Sequence, residues 1–219
     1  LYNGREVTDM RNIRVSNCRI RTATNGFKIG TGVYHNISNV QVSGLTMDSG
    51  ELYPPMICGI TITVSDGGTV SDVTIEDITI KKALAPVFIR LSNRNNYGDK
   101  AMTGSIRRVT VTDVTAGEVE LPIIVAGVED EGTVAYVENI LLKNIDVTYR
   151  EAKHPRRVNK ITHKDVKEAA DAYPETWMMG DVPAHGIYFR HAKQVSAENC
   201  TFLPRSGDTR PKLSFYNVE

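Results

Sequence analysis

Six segments of the chain share one design, an apolar/polar alternation that begins near an Asn or Asp and runs into a second small polar residue five positions on. They occupy residues 12–20, 39–47, 72–80, 108–115, 139–147 and 194–202. The first five start 27 to 36 residues apart, and the sixth follows after 55. Self-similarity at such a period marks a solenoid, whose units bury an apolar face only by stacking on their neighbours. Here the unit is a strand, in which alternate residues point to opposite faces. Val15, Val42, Ile75, Val111, Leu142 and Ala197 hold the same place in the six segments, so they should form one inward stack.

A second strand series is interleaved with the first, at 26–30, 59–63, 86–91, 122–126 and 186–191. Two alternating series predict an all-β protein, a right-handed single-stranded parallel β-helix or β-solenoid, forming one domain over residues 1–219. Asn17, Gly44, Asp77, Asp113, Asn144 and Asn199 recur where a tight bend calls for Gly, or for an Asn or Asp tolerant of left-handed backbone. These six read as turn chemistry. The chain opens at Leu1 in what reads as the tail of a preceding coil, so missing N-terminal coils of the same protein are an expected partner.

Two stretches break the repeat. Residues 48–57 hold Tyr53-Pro54-Pro55, and proline keeps a loop out of the sheet ladder. Residues 149–185 form a charged late insertion with the only tryptophan, Trp177, and a short helix expected from about 163 to 172, ended by Tyr173-Pro174. Insertions in solenoids project on one face, often the binding face. Tyr173, Glu175 and Trp177, with His185, suit a carbohydrate, whose C–H faces stack on rings while its hydroxyls bond to charged groups. The other reading is a loop packed over the flank of the helix.

With 26 acidic and 26 basic residues, no global field favours nucleic acid or an anionic membrane. No apolar run approaches the roughly 20 residues of a membrane span. The three cysteines, Cys18, Cys58 and Cys200, lack metal-ligand spacing and are odd in number, which points to buried free thiols. Neither a metal nor a cofactor is expected.

With Phe27, Ile29, Val87, Ile89, Leu91, Ile187 and Phe189 inward, alternation turns Lys28, Arg90 and Arg190 outward, and Arg94 follows in the loop after its strand. Stacked on adjacent coils, these cations would form a line able to hold uronate or sulfate groups, unless acids such as Asp66 or Glu129 neutralise it. Each is equally a solvated residue on a solenoid face. His191 is either buried and hydrogen-bonded at its strand end, or placed where the strand has already turned.

Asn17-Cys18, then 25–31 (Asn25-Gly26-Phe27-Lys28-Ile29-Gly30-Thr31), then 67–75 and 88–91, resemble the polygalacturonase-type glycoside hydrolases of family 28. The run Tyr173-Pro174-Glu175, then 179–191, then Asp208-x-Arg210-Pro211, is similar to the C-terminal coils of the bacterial, gut-type branch. The resemblance covers roughly residues 10–218. It implies a secreted or periplasmic enzyme that hydrolyses acidic plant cell-wall polysaccharide with inversion, one carboxylic acid protonating the leaving oxygen while carboxylates opposite activate water. The family's Asp-Asp pair would fall about one coil before Asn25, upstream of Leu1, so no catalytic residue is assigned within the chain. Asn25-Gly26 stands in the family's His-Gly slot. The Arg-Ile-Lys slot falls at 59–63 without a cation, and Lys28 could supply one instead. Candidate substrate-binding residues are then Asn25, Lys28, Arg90, Arg94, Tyr173, Glu175, Trp177, Arg190 and His191. Two other classes stay open: a catalytically silent polysaccharide-binding β-helix, and a polysaccharide lyase, which would need a calcium site.

Overall fold

The computed structural model describes residues 8–94, 103–150 and 158–219. The first seven residues, where the tail of a preceding coil was expected, and residues 151–157 of the insertion lie outside the described residues. In chain order the strands are β1 (Met10–Ser16), β2 (Arg19–Arg21), β3 (Asn25–Ile29), β4 (Asn36–Asp48), β5 (Met56–Val64), β6 (Thr69–Lys81), β7 (Ala83–Leu91) and β8 (Ser105–Val119). There follow β9 (Ile123–Ala126), β10 (Val128–Asp130), β11 (Thr133–Ala135), β12 (Val137–Tyr149), β13 (Ile187–Glu198), β14 (Thr201–Leu203) and β15 (Leu213–Val218). Apart from the antiparallel β10/β11 hairpin they form one 13-stranded sheet, whose path runs β1, β4, β6, β8, β12, β13, β9, β7, β5, β3. Its pairings are all parallel, and the sheet curls into a right-handed parallel β-helix.

The stack expected from the repeat is present. Val15 pairs with Val42, Val42 with Ile75, Ile75 with Val111, Val111 with Leu142, and Leu142 with Ala197. The four inner members are buried, while Val15 and Ala197, at the two ends, are partly covered. Ile29, Ile62, Ile89, Val125 and Phe189 stack in the same way in the second series and close the core from the other side.

All six bend residues lie at positive φ: Asn17, Gly44, Asp77, Asp113, Asn144 and Asn199. A second column, one per coil at the start of each repeat, does the same: Asn12, Asn39, Asp72, Arg108, Asn139 and Gln194. β4, β6 and β12 are therefore each folded at two single-residue corners, and β8 adds a third at Glu118, which is how one strand can wrap the core without a loop. Side chains join these corners from coil to coil. Asn39 donates to Asn12 at 2.7 Å, Asn144 to Asp113 at 2.9 Å, and Arg108 forks onto both oxygens of Asp72 at 2.6 and 2.8 Å.

β13 serves both series. Its first half pairs with β9 and its second half with β12, and His191, at φ 47°, turns the chain between them. Between β3 and β4 and between β5 and β6 a short loop makes that connection, and between β9 and β12 the β10/β11 hairpin does.

The insertion folds over the outward side of the second series. Val166, Met179, Val182 and Ala184 pack on Cys58, Ala85, Phe88, Ile124, Ala126 and Tyr188 in a second apolar cluster outside the main core. The helix expected over 163–172 does not form. A single 3-10 turn spans His163–Asp165, and another spans Thr176–Met179. Tertiary demands override the propensity: Val166 is extended and buried in the second cluster, and Ala169 is left-handed.

The expectation of three buried thiols also needs correction. Cys58 and Cys200 are buried, but Cys18 is exposed, and none is paired. Cys18 follows its corner as Cys200 does, yet among the described residues β1 before it pairs with β4 alone.

Candidate functional site

Two polar clusters lie where the insertion meets the second series. The register separates them. Lys28 stacks on Thr61 and then Phe88, whereas Arg90 stacks on Ala126 and then Arg190. The continuous cationic line that alternation allowed is therefore absent, because Lys28 lies in a different column and Ala126 parts the two arginines.

The first cluster is buried. Arg90, 2 % exposed, donates to the carbonyls of Gly127 and Glu168 and, at 3.2 Å, to the Glu168 carboxylate. Arg190 donates to the other oxygen of that carboxylate. Glu168 also accepts the backbone N–H of Glu129 at 3.0 Å, and His191 Nε2 lies 3.5 Å away. Two guanidiniums cannot be taken out of water without a counter-charge, and Glu168 provides it. Burial alone would raise the Glu168 pKa, but His191, Arg90 and Arg190 outweigh it and hold it at about 2. Burial pushes Arg90 down to about 10.

His191 is buried, as the structural reading of it required, and the strand has turned at it as well. Tyr136 donates to Asn217 Oδ1, which turns the amide so that Asn217 Nδ2 donates to His191 Nδ1 at 2.8 Å. The ring proton then sits on Nε2, facing Glu168. Beside this cluster His163 stacks on Tyr188 and Tyr216, with centroids 5.7 and 5.1 Å away, and burial followed by the nearby Arg190 charge lowers its pKa. Arg90, Arg190 and His191 thus hold the insertion down and present no cation on an open face.

The second cluster reaches the surface. Asn25 and Lys28, both on β3, meet Tyr173 and Glu175 of the insertion. Lys28 Nζ donates to Glu175 Oε1 at 3.3 Å and to Tyr173 Oη at 3.2 Å. Asn25 Nδ2 reaches the same Glu175 oxygen at 3.5 Å, and Asn25 Oδ1 accepts from Thr61 at 2.7 Å. Arg94 lies 5.3 Å from the centre of the Tyr173 ring and pairs with the buried Asp66 at 3.3 Å. The Thr31 hydroxyl and then Lys28 hold the Tyr173 phenol below its ordinary pKa. Glu175 has a side chain only 9 % exposed, and its second oxygen, Oε2, meets no donor. Tyr173 and Trp177 remain about half exposed, at 46 % and 47 %.

A closed loop positions these groups. Lys167 N–H donates to the Met179 carbonyl at 3.2 Å, pinching 167–179 at its base, and Asn93 N–H donates to Ala170 at 2.6 Å. Of the nine residues singled out from the sequence, five gather here: Asn25, Lys28, Arg94, Tyr173 and Glu175, with Trp177 on the same loop. Arg90, Arg190 and His191 belong to the buried cluster. Sequence reasoning missed Glu168, Thr31 and Thr61. Glu168 had a signal, since two outward arginines on buried strands require a carboxylate from whatever covers them.

Among the described residues no group of three or more His, Cys, Asp or Glu is arranged to hold a metal ion, and no helix is long and apolar enough to cross a membrane. Fold and site together define a parallel β-helix with a clasped insertion and a polar, aromatic-bearing patch at one end of it. Neither a family model, nor a curated protein, nor a solved structure matches the chain.

Proposed function

We propose that the chain is part of a β-helical enzyme acting on plant cell-wall polysaccharide of the acidic, pectin class, and that the Lys28–Tyr173–Glu175 patch with Trp177 is where it meets the polymer. One observation carries the reading: two half-exposed rings stand on a pinched loop whose polar groups are already fixed by hydrogen bonds. Rings offer a stacking face to sugar C–H groups, and fixed donors and acceptors lower the ordering cost of binding. On the family resemblance, hydrolysis is inverting, its carboxylates precede Leu1, and the protein works in a secreted or periplasmic setting. A silent polysaccharide-binding β-helix is the second reading, favoured by the pairing of both patch carboxylates, Glu175 and Asp66, with cations.

Affinity electrophoresis in gels containing pectin tests the patch. Retardation of the wild type that Trp177→Ala and Tyr173→Ala both reduce supports it. Unretarded wild type, or retardation untouched by either change, rejects it. Joining the upstream coils to the chain and assaying reducing-sugar release separates the enzyme from the silent binder.

A further inference from the structure

We infer that the patch takes an uncharged sugar unit, read through its hydroxyls and ring face, and does not take a uronate. The inference rests on the reading of the patch as polysaccharide-binding and names the kind of residue it grips. Both cations there are already matched: Lys28 by Glu175 and Arg94 by Asp66, each pair at 3.3 Å. A uronate carboxylate approaching Lys28 would have to share it with Glu175. Glu175 is almost enclosed, and in such surroundings like charges repel far more strongly than in water.

Hydrogen-bond types point the same way. Glu175 Oε2 is a buried acceptor with no donor, and buried polar groups left in that state call for a partner. Lys28 spends two of its three N–H donors, on Tyr173 and Glu175. The patch therefore lacks a donor at Glu175 and still has a donor at Lys28. A hydroxyl can give a proton to one and accept from the other. A carboxylate only accepts, so it leaves Oε2 unsatisfied and adds a second negative charge beside it. The exposed rings of Tyr173 and Trp177 add a surface on which a neutral pyranose face can stack.

Titration calorimetry with two probes of equal length decides the matter: a neutral galactan oligosaccharide and an oligogalacturonate, each at low and high salt. The wild type should prefer the neutral probe, with an affinity that salt leaves unchanged, since no net charge is engaged. Glu175→Gln keeps the shape while removing the charge. It should weaken the neutral probe by about tenfold, as a charged acceptor becomes a neutral one, and should strengthen oligogalacturonate, because Lys28 is left uncompensated. Circular dichroism confirms that the variant is folded, and the wild-type comparison needs no variant. Equal affinities, or a wild type that prefers oligogalacturonate and loses it in salt, overturn the inference while leaving polysaccharide binding intact. Binding of neither probe overturns the polysaccharide reading along with it.

Discussion

The ammonium of Lys28 and the carboxylate of Glu175 meet at 3.3 Å across 147 residues of sequence. Lys28 stands on β3, at one end of the sheet path, while the insertion bearing Glu175 leads directly into β13, four strands away. The insertion thus crosses the outward side of the whole second series, touching Tyr188 of β13 through His163 and Lys28 of β3 through Glu175. With side chains 16 % and 9 % exposed, this pair is shielded from the screening that makes surface ion pairs weak.

Ile75 is fully buried at the centre of a six-member stack. Ile75→Ala should lower unfolding free energy by about 2–5 kcal/mol, through lost transfer energy and the cavity left behind. Val15→Ala removes a side chain from the partly covered end of the same stack and should cost clearly less. Denaturant titration of both variants checks this, and equal losses would mean that the ends are packed as tightly as the middle.

At Asn144 the backbone has φ 52°, and the side chain donates to Asp113. Ala is strained in that region by about 1–2 kcal/mol, whereas Gly is not. If corner geometry dominates, Asn144→Ala should destabilise by about that amount and Asn144→Gly by less. Equal destabilisation would instead place the effect in the bond to Asp113.

The repeat, both strand series and the inward stack were legible because a parallel β-helix writes its core as a period of two that recurs coil after coil. The six bends were legible through Asn, Asp and Gly at one slot. The second corner column was harder to see, since Arg108 and Gln194 occupy left-handed positions that their residue types do not announce. Arg90 and Arg190 show the limit at the site. Alternation placed them outward correctly, but outward is not exposed when an insertion covers the face, and only the fold brings Glu168 between them. Lys28, Tyr173 and Glu175 were each singled out by residue type and position, and their meeting depended on how far the insertion reaches back.

The cysteines provide a check on coil coverage. Cys58 is buried with its thiol pushed up to about 12 by desolvation, and Cys200 is buried near its corner, while Cys18 is exposed. A chromogenic disulfide reagent should therefore modify one thiol rapidly in the native protein and all three after unfolding. Cys18→Ser should abolish the rapid phase. A rapid phase that survives the substitution would show that another thiol is open, and slow modification throughout would show that the end coil is covered in solution.

Glu168 should set the acid limit of the clasp. Its pKa falls from an ordinary 4.5 to about 2 in the folded protein, since its attraction to His191, Arg90 and Arg190 outweighs the cost of burial. A group whose folded pKa is depressed stabilises fully above its unfolded value and loses that contribution as pH falls through the folded value. Glu168 should therefore stabilise at neutral pH and stop doing so between about pH 4.5 and pH 2. Glu168→Gln leaves two buried arginines without their counter-charge, so the variant should melt well below the wild type at pH 7. The gap should narrow steadily on acidification, because protonation turns the wild type into a chemical likeness of the variant. Melting temperatures of both proteins across that range give the answer. Two curves that run parallel from neutral to acid would show that Glu168 does not carry the charge that holds the insertion in place.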